Sequence, residues 1–319
     1  MSTNKDLKCA PSKKYQDGSC FTLETLQEIA KKYNQKYSSD KINKKVFNKK
    51  EELVENLKER LADVCNEQTC WLRLDIVKEI EKENEQKYDD IVNNTFRPVG
   101  PSKKYDWLST THINNVIDQY HSLYPEFNFL GTVPYDFEEL PILGIGSLNF
   151  NELKKNGKTK IGMVINMDEH NQRGSHWVAL YADLKDYGIY YFDSVGKRPR
   201  ARIRTFINRL AKYMYKDKFN EELNINNILN EIRKVEHFGT KKLKDYFKKN
   251  TSIYKFINAD FDVRYNTIQH QFKNSECGVY SINFIISMLE HGDFDKVVNN
   301  ITDDDSMNAN RKIFFRNVN

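Results

Sequence analysis

Over the first 93 residues the apolar positions fall into three short stripes at helical spacing. Leu23, Leu26, Ile29 and Ala30 make the first, with Thr22 or Ser19 as its cap. Leu53, Leu57, Leu61 and Val64 make the second. Trp71, Leu74, Ile76 and Ile80 open a third, which runs out into Glu- and Lys-rich sequence. The segment Phe96-Arg97-Pro98-Val99-Gly100-Pro101 then breaks any helix, because proline has no amide to donate and restricts the residue before it. A boundary there separates a helical N-terminal unit, 1–97, from a second unit, 98–319.

The second unit changes period. Ser109 is placed to cap a helix whose apolar face is Ile113, Val116, Ile117 and Tyr120. Four strand-like runs follow, at 160–166, 176–182, 188–192 and 263–268, each short and rich in β-branched or aromatic residues. Between the third and fourth lies a basic stretch, 197–256, with a helical face of Ile203, Phe206, Ile207 and Leu210. A final helix starts at Cys277 and carries Ile282, Phe284, Ile285, Met288 and Leu289. Helix, strands and then a helix opening at a cysteine predict an α+β domain on a mixed or antiparallel sheet.

The 319 residues suffice for a full-sized core and a smaller second unit. No run approaches the roughly 20 apolar residues of a membrane helix, so no membrane contact is expected. Residues 1–8 are polar and lack the apolar centre of a secretory signal, which places synthesis in the cytosol. Net charge is +5, unevenly spread: 197–256 holds 17 Lys/Arg against 6 Asp/Glu, a local excess of +11. Lys197, Arg198, Arg200, Arg202 and Arg204 are dense enough for weak, salt-sensitive contact with DNA.

Of five cysteines, four (Cys9, Cys20, Cys65, Cys70) lie in the first 70 residues and Cys277 stands alone. Only Cys65 and Cys70 are spaced as zinc ligands usually are, and no histidine occurs before His112. Buried thiols are therefore expected rather than a metal site, with a disulfide left open in an oxidised particle. No cofactor is called for.

Cys277 opens an apolar helix, where unpaired amides and the helix dipole favour a negative sulfur. A nucleophilic cysteine also needs a base, a group to orient it and donors for the oxyanion. His176 sits at a loop-to-strand junction, the rim of a sheet; His170, in the middle of that loop, is its rival. Asp193 ends the following strand, seventeen residues on, and antiparallel pairing would set it beside His176. Gln271, six residues before Cys277, can donate to an oxyanion together with the Cys277 amide; Gln269 is the alternative if the register slips.

His176-Trp177 before a strand, then Phe192-Asp193-Ser194, then Gln271-x5-Cys277-Gly278 resembles the SUMO-protease and adenovirus-protease family of cysteine peptidases. Trp107-Leu108-Ser109 with Ile113 is similar to that family's opening helix, and the likeness spans about 103–290. It implies a papain-like core in permuted order around a mixed sheet. It also implies that Trp107 and Trp177 wall a tunnel narrow enough to select a Gly-Gly stretch; core packing is the plain alternative for both rings. Cys9, the 17–22 segment, the Cys65/Cys70-Trp71 pair, Val133-Pro134-Tyr135-Asp136-Phe137, Ile301-Thr302-Asp303 and Phe314-Phe315-Arg316 resemble the branch found in large cytoplasmic DNA viruses. That branch implies maturation of core or capsid polyproteins by cleavage after Gly-Gly, in the virus factory and the virion. The insertion 197–256 departs from compact relatives. Deconjugation of SUMO- or ubiquitin-like tails requires the same tunnel and stays open beside it. A non-catalytic binding module of the same fold is the alternative outside the enzymes, against which stand four positions with competent residue types.

Overall fold

The computed structural model describes residues 17–19, 21–62, 71, 74–83, 98–121, 123–222, 224 and 261–315. Cys9, Cys20, Cys65, Cys70, Val64, Arg316 and most of the basic insertion lie outside the described residues.

The N-terminal stripes form helices where their spacing puts them. α1 (Leu23–Lys36) starts behind Thr22, whose side chain accepts from the Thr25 amide. Ser19, the other candidate cap, instead accepts from the Phe21 amide. α2 (Lys50–Leu61) and α3 (Asp75–Glu83) pack against it through Leu26, Ile29, Leu53, Leu57 and Val77, all fully buried. Trp71 stacks on Phe21 at 6.2 Å between ring centres. These side chains belong to one apolar cluster with α4 (Thr110–Ile117) and the helix that starts at Cys277, described below.

Five strands make one sheet in chain order: β1 (Phe127–Val133), β2 (Lys160–Asn166), β3 (Trp177–Asp183), β4 (Gly188–Phe192) and β5 (Asp262–Tyr265). The outer pairs are parallel and the inner pairs antiparallel. The fold is thus α+β on a mixed sheet. Side chains along the central strands alternate between two cores. Val164, Ala179, Tyr181 and Phe192 face α7 (Cys277–His291); Met163, Ile165, Leu180 and Tyr191 face α6 (Ala201–Phe219), against which α5 (Phe150–Lys155) sets Phe150. Covering both faces explains why these strands read as nearly unbroken apolar runs. Each such side chain contributes roughly 1.5–3 kcal/mol by leaving water.

Three elements differ from expectation. β1 was not among the expected strands: Gly131, at φ 94°, lies in a bulge where the pairing with β2 shifts between Phe129 and Thr132. A bulge breaks the two-residue alternation by which a strand is read. β5 stops at Tyr265 rather than reaching Ile268, because Asn266 turns away to bond Asp193. And α7 is not final. α8 (Phe294–Asn299), α9 (Asp304–Ala309) and α10 (Arg311–Phe314) follow it, each too short to show a stripe.

The arginines of α6 and its approach hold that helix in place. Arg200 donates to the Met167 carbonyl, Arg202 pairs with Glu139 and Glu169, and Arg209 pairs with Glu138 and the Ile145 carbonyl. The charges of Arg202 and Arg209 are thus paired with carboxylates, and the expected DNA contact gains no support among the described residues.

Candidate active site

α7 begins at Cys277, so the sulfur sits in the first turn, where the helix amides lack intrahelical partners. The residue is 3% exposed. Gly278 keeps this approach close: a Cβ there would stand 3.0 Å from both Cβ and Cδ1 of Leu108, which would have to give way. Leu108 in turn accepts a 3.0 Å hydrogen bond at its carbonyl from Trp177 Nε1. Two segments far apart in sequence are thereby pressed against the start of α7.

His176 lies one residue before β3 and Asp193 one residue after β4. The antiparallel register pairs Ala179 with Phe192, which brings the two side chains together. His176 Nε2 meets Asp193 Oδ1 at 2.7 Å. Nε2 is thus committed to the carboxylate, and the Cys277 side chain acts on the same ring, favouring its charged form. Burial alone would disfavour the imidazolium. The hydrogen bond that His176 gives to Asp193, and the influence of the Cys277 side chain, overcome it, and His176 is pushed up to about 9.

Asp193 is 2% exposed and held from behind. Its amide donates to Asn266 Oδ1 at 2.8 Å, and Asn266 Nδ2 returns a 2.7 Å bond to its carbonyl. The Val195 amide adds a second bond to Oδ1 at 3.0 Å.

Gln271 is buried and Gln269 exposed. The Gln271 amide oxygen accepts from Ser194 Oγ at 2.6 Å, and its Nε2 donates to the Lys273 carbonyl at 2.6 Å. One N–H of that amide stays available. Gln269 instead donates to the Gln271 carbonyl at 2.8 Å.

His170 is fastened elsewhere. Its ring Nδ1 and its backbone amide both bond the buried Asp136, at 2.5 and 2.9 Å. The ring lies on the rim of a cleft of about 570 Å³, lined also by Trp107, Leu108, Val133, Arg173 and Trp177. Trp177 is buried, whereas Trp107 is 47% exposed and presents its face to solvent. Two other described histidines have structural roles: His112 completes a capping box with Ser109, and His270 donates to the Val298 carbonyl.

The structure therefore gathers Cys277, His176, Asp193, Gln271, Trp107 and Trp177 around one end of the sheet. Sequence reasoning missed Asn266, Ser194 and Asp136, which hold Asp193, Gln271 and the cleft loop. Ser194 had a legible signal in its adjacency to Asp193. Asp136 stood in the Val133–Phe137 segment already singled out, without a role assigned to it; Asn266 had no signal, since its partner is 73 residues away.

A cysteine at a helix start, with a histidine beside it and a carboxylate behind that histidine, is the arrangement a thiol protease needs. The chain belongs to the Ulp1 protease family: residues 158–318 match its C-terminal catalytic domain. The protein of Acanthamoeba polyphaga mimivirus named "Putative thiol protease R355" is 31% identical over 97% of this chain and 93% of that protein. The SUMO-1 cysteine protease of African swine fever virus (isolate Pig/Kenya/KEN-50/1950) is 20% identical over 83% of this chain and 88% of that protein. The crystal structure of the African swine fever virus pS273R protease shares the fold with a TM-score of 0.51 at 19% identity, covering 98% of this chain and 97% of that one.

Proposed function

We propose that this chain is an endopeptidase that cleaves viral core or capsid polyproteins after Gly-Gly during virion maturation, acting in the host cytoplasm and in the particle. Cys277 attacks the scissile carbonyl as a thiolate. The free Gln271 N–H and the Cys277 amide receive the oxyanion. His176 gives its proton to the leaving amine, then takes one from the water that releases the acyl group. Asp193 keeps the ring turned and charged. Trp107 and Trp177 wall the channel along which only a side-chain-free stretch passes.

The observation that carries this reading is the 2.7 Å bond between His176 and Asp193, with the Cys277 side chain acting on the same ring, beside a tryptophan-lined cleft. The polyprotein role is favoured by likeness to the mimivirus and African swine fever virus proteases, which extends over most of the chain and includes the helical N-terminal unit. The name SUMO-1 cysteine protease carried by a relative keeps deconjugation as the second reading.

The test is intact mass after incubation with a Gly-Gly-terminated peptide bearing a thiol-reactive electrophile. A single adduct on wild type, absent from Cys277→Ala, is expected. Folded wild type that reacts with a small electrophile at Cys277 but not with the Gly-Gly probe would overturn the specificity. Faster cleavage of a SUMO or ubiquitin fusion than of a Gly-Gly-Xaa polyprotein junction would favour deconjugation.

A further inference from the structure

Behind the nucleophile lies an ion pair that the proposed reaction does not use. Glu276, the residue before Cys277, and Arg311, the first residue of α10, have side chains 2% and 0% exposed. Arg311 Nε donates to Glu276 Oε2 at 2.8 Å and Nη2 to Oε1 at 3.1 Å. The guanidinium also reaches the Ser275 carbonyl at 3.0 Å and the Asp106 carbonyl at 2.7 Å. Asn308 of α9 completes the cluster, giving one bond to Glu276 Oε1 and one to the Lys104 carbonyl, both 2.9 Å.

One side chain thus joins three pieces of chain. They are the C-terminal helices, the turn that delivers Cys277 and the 104–106 segment that leads into Trp107 and Leu108. A buried ion pair adds little stability over an apolar pair of the same volume, because both charges lose their water. Stability alone is a poor account of placing one here. The location supplies a better one. A carboxylate one residue from a thiolate opposes the sulfur's charge, and a guanidinium locked to that carboxylate cancels the opposition.

We propose that Arg311 is a positioning residue for Cys277: it fixes the start of α7 against the cleft wall through Ser275, Glu276 and Asp106, and it balances the charge of Glu276 next to the cysteine. The proposal rests on Cys277 being the nucleophile. Other charged groups face the site from each packed element. His176 and Asp193 come from the sheet side. His112 of α4 lies near Arg311, whose charge acts with burial to keep that imidazole below its ordinary value. Asp304 of α9 accepts the Phe272 and Lys273 amides, and Lys273 itself pairs with Asp305.

The test uses the full chain and reads alkylation of Cys277 by iodoacetamide against pH, by peptide mass, beside melting temperature and turnover of a Gly-Gly peptide. Iodoacetamide reports on the sulfur whatever the substrate, so failure of the Gly-Gly reading is distinguishable. In Arg311→Met the uncompensated Glu276 moves the acidic limb of alkylation to higher pH by roughly one unit, and in Glu276→Gln the unopposed Arg311 moves it down. The double variant Glu276→Gln/Arg311→Met returns the limb toward wild type. If Arg311→Met does not fold, Arg311→Lys replaces it. There the limb stays in place, because the charge is kept, while kcat falls because the fork of donors is lost. Limbs that do not move, or that move in the same direction in both single variants, overturn the proposal, as do activity losses that follow melting temperature alone.

Discussion

Replacing Asp193 by asparagine removes a negative charge from His176 while leaving the side chain's shape and its acceptor for the Val195 amide. The ring stands at about 9 against an ordinary 6.5, with a side chain only 22% exposed, so the screening correction is small. At about 1.36 kcal/mol per pH unit the gap is worth roughly 3 kcal/mol in favour of the imidazolium, shared between Asp193 and Cys277. Wild type should therefore lose activity on the alkaline side near pH 9. In Asp193→Asn that limb should fall to about pH 7. At pH 8.5 this costs roughly 20-fold in the protonated fraction, and at pH 6 almost nothing. The assay is kcat/KM on a Gly-Gly peptide from pH 5 to about 9.5. A loss uniform across pH, with the limb still near 9, would refute the reasoning and reduce Asp193 to a steric prop. Stability carries the same signature. The folded value lies above the unfolded one, so the contribution of His176 is complete below 6.5 and is lost as pH rises through about 9. The melting temperature of wild type should fall more across that window than that of Asp193→Asn.

Gln271→Ala should lower kcat by about 2.7–4 kcal/mol in barrier, the usual cost of one oxyanion donor. Alkylation of Cys277 by iodoacetamide should change far less, since Gln271 does not bond the sulfur. Gly278→Ala sets a methyl 3.0 Å from Leu108 and should cost about 1–3 kcal/mol in thermal melts. It should also raise KM, because Leu108 lines the cleft and its carbonyl holds Trp177.

Much of this molecule is written in local pattern. The stripes at Leu23–Ala30 and Leu53–Leu61 became α1 and α2 because a 3.6-residue period needs no knowledge of what covers it. The runs at 160–166 and 188–192 became β2 and β4 because β-branched and aromatic residues suit a pleated, buried surface. Cys277 opening an apolar helix, and His176 and Asp193 seventeen residues apart across a hairpin, were legible for the same reason: a short antiparallel connection fixes which ends meet. Tertiary structure decided what local pattern cannot hold. It chose Gln271 over Gln269 through Ser194, since burial depends on how a loop turns. It tied His170 to Asp136 and away from the cysteine, a pairing across 34 residues. It set Asn266 behind Asp193 and Arg311 behind Glu276, where neither residue has any neighbour in sequence to announce it. Periodicity records which face of an element meets the core; which buried polar groups satisfy one another is settled only when distant segments close on the same few ångströms.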